Sequence, residues 1–82
     1  MVKVIFLNLL RSKYDIHQID VFPGTINELI KQIQNIHPNI LLKDFEHSVI
    51  FINSKKIIHN TKFDEIAQDG DEVVFTHFIG GG

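Results

Sequence analysis

Apolar positions crowd the start of the chain. From Val2 to Leu10 only Lys3 and Asn8 interrupt them, and the run is rich in β-branched and aromatic residues, which predicts a central strand buried on both faces. Residues 11–15 (RSKYD) are polar and read as a connection. Ile16 to Phe22 mixes Ile16, Ile19, Val21 and Phe22 with His17, Gln18 and Asp20, which predicts a second strand that Pro23-Gly24 stops. The period then changes. Thr25 and Glu28 are spaced as a capping box, and Ile26, Leu29, Ile30, Ile33 and Ile36 follow as one apolar helical stripe. His37-Pro38 ends that helix, because the residue before proline is driven out of the helical region.

Residues 39–48 show no period and read as irregular. Val49-Ile50-Phe51-Ile52 is a short strand, and Asn53-Ser54-Lys55 turns it into Lys56-Ile57-Ile58. Phe63 to Ala67 reads as a short helical turn, Gln68-Asp69-Gly70-Asp71 as a tight turn, and Glu72 to Phe78 as the last strand. Ile79-Gly80-Gly81-Gly82 closes the chain. One helix against a mixed sheet of four or five strands is an α+β layout. If the first and last strands pair in parallel, the helix belongs to the crossover between them, and the architecture is the β-grasp, or ubiquitin-like, fold.

Length and composition narrow the function. Eighty-two residues make a single domain, 1–82, with residues 79–82 as a flexible tail, and leave little volume for a core and a deep pocket together. Eight basic residues against ten acidic ones, with the lysines scattered, offer no basic stripe for nucleic acid. No apolar run is long enough to span a bilayer, and no charged-then-apolar leader precedes the first strand, so a cytoplasmic address is expected with no membrane partner. The sequence holds no cysteine, which removes thiol catalysis and thiolate metal sites. Five histidines (His17, His37, His47, His59 and His77) form no close pair at ligand spacing, and no metal site is expected. Asp64, Glu65, Asp69, Asp71 and Glu72 read first as a solvated turn, and second as a surface steering a basic partner.

The segments VKVIFLNLLR, PGTINELI, VIFINSKKI, DGDEVVF and HFIGGG, in that order, resemble the sulfur carriers of the ThiS and MoaD type. The resemblance covers nearly the whole chain. Ser54 stands where the family commonly has glycine, a departure that touches turn geometry rather than chemistry. The first strand and its connection are similar to the small subunit of molybdopterin synthase, whereas the three closing glycines are similar to the carrier of the thiamine pathway.

What the resemblance implies is a protein that is not itself an enzyme. Its working group is the carboxylate of Gly82, ionised at neutral pH because such groups titrate near about 3.5. An adenylating partner related to ubiquitin-activating enzymes, using ATP and Mg, would activate that carboxylate, and sulfide or a persulfide would displace AMP and leave a thiocarboxylate. The sulfur would pass to a synthase, either the large subunit of molybdopterin synthase or thiazole synthase. The carrier itself would bind no cofactor. Gly80 and Gly81 thread into the partner: drawn out, residues 79–82 reach about 13 Å at roughly 3.3 Å per residue and carry no β-carbons at the last three positions. Phe51, Phe75, Phe78 and Ile79 are the docking candidates, since one helix covers one sheet face and leaves the other apolar set for a partner. Phe51 and Phe75, both at odd positions, are expected on one face. Two other readings use the same residues: a ubiquitin-like modifier joined to lysine through Gly82, and an interaction domain whose terminal glycines are idle.

Overall fold

A computed structural model of the chain describes residues 1–58 and 63–76. Its elements are β1 (Val2–Phe6), α1 (Asn8–Tyr14), β2 (Gln18–Val21), β3 (Gly24–Thr25), α2 (Ile26–Ile36), α3 (Leu42–Glu46), β4 (Val49–Ile52), β5 (Lys56–Ile58), β6 (Ile66–Ala67) and β7 (Glu72–Thr76). Five strands form one mixed sheet in the order β2-β1-β7-β4-β5, and β3 and β6 form a separate pair. The first and last strands are parallel neighbours, with Val4 opposite Val73 and Phe6 opposite Phe75. All other pairings in the sheet are antiparallel. This is the expected α+β, β-grasp arrangement.

The main helix forms for the local reasons its sequence suggests. The Thr25 hydroxyl accepts from the Glu28 backbone N–H at 3.1 Å, and the Glu28 carboxylate accepts from the Thr25 N–H at 2.9 Å. Gly24 leaves room for this box, because a β-carbon there would stand 2.9 Å from the Glu28 carboxylate. Ile26, Leu29, Ile30 and Ile33 are fully buried against the sheet, each contributing roughly 1.5–3 kcal/mol by leaving water. The stripe ends a turn early: Ile36 is 56% exposed.

Three expectations are corrected. The first strand stops at Phe6, because Asn8 takes a left-handed φ of 57° and turns the chain into α1, so residues 8–10 belong to a helix and not to a longer strand. Residues 39–48 are not wholly irregular, since α3 forms there around the buried Phe45. Residues 63–67 make no helical turn. Their backbone instead serves α2: the Phe63 and Glu65 carbonyls accept from the Asn27 and Ile26 N–H groups, first-turn donors that a helix cannot satisfy by itself. Ile66–Ala67 then pairs with Gly24–Thr25 as β6.

The core lies between α2 and one face of the sheet. Val2, Val4 and Phe6 of β1, Val21 of β2, Ile50 of β4 and Val73 and Phe75 of β7 all point into it, and Phe45 closes one end. The Phe45 ring meets Phe75 edge-on at 5.2 Å, and Phe6 stacks on Phe75 at 5.8 Å. At the edge, Tyr14 of α1 donates to the Asp44 carboxylate of α3 and accepts from the Leu41 N–H, while Lys13 pairs with Asp44 at 3.0 Å. No helix among the described residues is long and apolar enough to cross a membrane.

Candidate functional site

β7 occupies the centre of the sheet, with β1 on one side and β4 on the other. Its start is fixed by a dense polar turn. Gly70 supplies a φ of 87°. The Asp71 carboxylate accepts from the Asn53 side-chain amide at 3.0 Å and from the Gln68 N–H at 2.8 Å. These bonds, the one from Asn53 first, hold the Asp71 carboxyl below the usual carboxylate range. Asn53 also accepts from the Glu72 N–H through its side chain, at 2.9 Å, and donates its own N–H to the Glu72 carbonyl. Asn53 and Ser54 carry the positive φ values, 52° and 61°, that a tight hairpin needs, so serine performs here what glycine would do more easily. The β4–β5 hairpin and the turn before β7 are thereby tied together. The acidic cluster is in this part a structural turn: Asp69 pairs with the Met1 amino group, and Asp71 closes the loop.

At its other end β7 runs to Thr76. Gly80, Gly81, Gly82, Phe78 and Ile79, the residues expected to carry the chemistry and part of the docking surface, lie outside the described residues. So do His59 and His77. Phe75 is corrected outright: it is 0% exposed beneath α2 and cannot meet a partner. The two phenylalanines do not share a face. β4 and β7 pair with Ile50 opposite Phe75 and Phe51 opposite Val74, so odd positions of one strand stand beside even positions of the other. That offset is a property of the register, which the sequence does not display.

Phe51 does lie on the face away from α2. It is half-buried without joining the core, and the register sets it in a row with Val74 and Ile5 across three adjacent strands. Beside that row, Lys3 stands between Glu72 and Asp20 as cross-strand neighbours. An apolar row bordered by charge is thus present, formed by Ile5, Val74 and Phe51. Ile5 and Val74 were not singled out by the sequence. Their signal was the alternation in β1 and β7, where each follows a core residue by one position. Among the described residues, no three His, Cys, Asp or Glu side chains are grouped to hold a metal ion.

Known proteins agree with this geometry. The chain matches the ThiS family over residues 4–82. Solved structures with the same fold include SAMP1 from Haloferax volcanii (16% identity, 99% of this chain and 98% of that chain, TM-score 0.74). They also include the BexX/CysO complex from Amycolatopsis orientalis (16% identity, 100% of both chains, TM-score 0.72). A third is the complex of subunits 1 and 2 of the molybdopterin-converting factor from Helicobacter pylori (18% identity, 99% and 97%, TM-score 0.68). No curated protein matches the chain by sequence. With the parallel β1–β7 pair, the single main helix and a family match that runs through the closing glycines, the chain belongs to the ThiS family of β-grasp sulfur carriers.

Proposed function

We propose that this protein carries sulfur for cofactor biosynthesis as a thiocarboxylate on Gly82, formed in two steps by a separate adenylating enzyme. In the first, a carboxylate oxygen of Gly82 attacks the α-phosphorus of ATP and pyrophosphate leaves, giving an acyl-adenylate. In the second, hydrosulfide attacks the acyl carbon, AMP leaves with the electron pair of the broken C–O bond, and loss of a proton gives the thiocarboxylate. Mg-ATP belongs to the partner. The carrier supplies the acyl group and the surface that presents it.

The observation that carries this reading is the ThiS match through Gly82, on a chain whose central strand leads to three residues without side chains. Two neighbours in fold were solved with a protein partner, CysO with BexX and one subunit of the molybdopterin-converting factor with the other. A protein partner for this chain fits that precedent. The row of Ile5, Val74 and Phe51 is where the adenylating enzyme or a synthase would dock, with molybdopterin synthase and thiazole synthase as the two candidate acceptors.

The test is intact-mass analysis of the chain incubated with the adenylating enzyme of the same genome, ATP, Mg and sulfide. The expected result is exchange of one oxygen for sulfur, lost on deletion of Gly82 while the fold is kept. A truncated chain that is still thiolated, or a full chain that never is, overturns the proposal. Sulfur released only to thiazole synthase, or only to the molybdopterin synthase subunit, names the pathway.

A further inference from the structure

The sheet ends at β2, which pairs on one side with β1 and on the other with no strand among the described residues. The Phe6 N–H donates to the His17 carbonyl at 3.0 Å, and the same register sets Val4 opposite Ile19 and Val2 opposite Val21. In an antiparallel pair, alternate residues turn both backbone groups toward one neighbour. The N–H and carbonyl of Gln18, Asp20 and Phe22 therefore point outward, away from β1. At Phe22 that edge is occupied. The Gln32 side-chain carbonyl accepts from the Phe22 N–H at 2.8 Å, and the Gln32 side-chain amide donates to the Phe22 carbonyl at 3.0 Å. A primary amide carries an acceptor and donors together, so Gln32 makes the two bonds that a residue of a further strand would make.

We propose that Gln32 guards the open edge of the sheet, standing in for a neighbouring strand at Phe22 and preventing a second copy of this chain from pairing there. Unpaired strand edges are templates for association, and a charged side chain is one common protection. Asp20 is exposed and supplies a charge at its own position. Phe22 has none: its side chain is 67% exposed and would gain cover from a pairing strand. With Phe22 closed, only Gln18 and Asp20 remain to pair, and neither offers an apolar side chain. With Phe22 open, a two-fold alignment about Val21 sets Asp20 opposite Phe22 of the second copy, twice, and keeps the two aspartates from standing directly opposite each other. The bonds to Gln32 are solvent-exposed, where water competes for both partners, so their contribution to the fold itself is small. Their effect is on the edge.

The test uses the full-length chain, with sedimentation equilibrium to read mass and amide exchange to read the edge. In the wild type the Phe22 amide should exchange roughly tenfold slower than those of Gln18 and Asp20, after correction for intrinsic rates, and the chain should stay monomeric as its concentration rises. Gln32→Ala should erase that difference and self-associate. Its association constant should rise at least about tenfold, the order expected from freeing one pair of backbone bonds. Asn35→Ala, an exposed change on the same helix outside this contact, should remain monomeric. Adding Asp20→Pro to Gln32→Ala should restore the monomer, because proline removes an outward N–H and no bond to β1. If that double variant does not fold, slowed exchange of the Asp20 amide in the associated Gln32→Ala chain decides in its place. A wild-type Phe22 amide as fast as its outward neighbours overturns the proposal without any variant. So does a Gln32→Ala chain that stays monomeric, or one no more associated than Asn35→Ala. Association that survives Asp20→Pro, or that leaves the Asp20 exchange unchanged, runs through another surface and overturns it as well.

Discussion

Val74 and Phe75 are consecutive residues of β7 with opposite surroundings. Phe75 is fully buried beneath α2, between the rings of Phe6 and Phe45. Val74 faces the other way and is only half-covered, in a row with Ile5 and Phe51 that no helix among the described residues closes. Both faces carry apolar residues, yet only one is fully buried. Burial accounts for the sequence of the closed face. Among the described residues the open face has no such account, and the proposed docking role is what would give it one.

The sharpest way to break the comparison is to exchange the roles of the two faces by mutation. Phe75→Ala should destabilise the fold by about 3–5 kcal/mol, the usual cost of removing a buried phenylalanine and leaving its cavity. In a domain this small that is a large part of the total stability. Urea denaturation should show the midpoint collapse, and a loss below about 1 kcal/mol would mean the closed face is not the core. Phe51→Asp is the counterpart on the open face. Its fold should survive, while affinity for the adenylating enzyme falls at least tenfold, on the order of 2 kcal/mol for a residue central to an interface. Titration calorimetry against the enzyme reads this directly. Unchanged affinity would leave the open face without a role in docking.

Some of this contrast was legible in the sequence. The helix α2 could be read residue by residue, because a capping box and a stripe of isoleucine and leucine are local signals. The parallel pairing of the first and last segments was the condition on which the β-grasp reading stood, and the structure meets it. The faces did not follow. Whether Phe51 stands with Phe75 or with Val74 depends on a register set by the Asn53 hairpin and the turn at Asp71, and position parity alone gave the wrong answer. The helix α1 was hidden because Leu9 and Leu10 extend the apolar run of β1, and the break at Asn8 is a backbone angle. The strand β6 is two residues long and exists only against β3. The contact between Asn8 and the Thr76 hydroxyl, 68 residues apart in sequence, could not be read from pattern.

The cover over the closed face can be loosened without touching the core. Thr25→Ala removes the hydroxyl that accepts from the Glu28 N–H and donates to the Glu28 carboxylate, but keeps the Thr25 N–H bond that is the first cause of that carboxyl's lowered titration. The expected loss is about 1 kcal/mol, typical of an N-cap threonine. Amide exchange should quicken first in the opening turn of α2 and not in β4. Uniform acceleration across the sheet would show that the cap and the core fold as one unit.

The smallest effect is conditional on pH, and it concerns the edge that joins the two short helices. Asp44 of α3 is 15% exposed and holds its carboxyl below the ordinary range, first because Tyr14 donates to it and then because Lys13 does. A carboxylate whose native pKa is depressed stabilises the fold above its unfolded value, near about 3.9, and loses that contribution as pH falls toward the native one. Tyr14→Phe removes the leading donor and keeps the ring against the core. At pH 7 the variant should be less stable by up to about 1 kcal/mol. The gap should begin to narrow near about pH 4 and close only below the depressed native value, where wild type and variant both carry a neutral Asp44. Urea midpoints taken from pH 7 down to acid would trace the convergence. Parallel curves would mean that the hydroxyl acts by contact with Leu41, whose N–H it also accepts, and that the charge on Asp44 contributes nothing to holding α3 against α1.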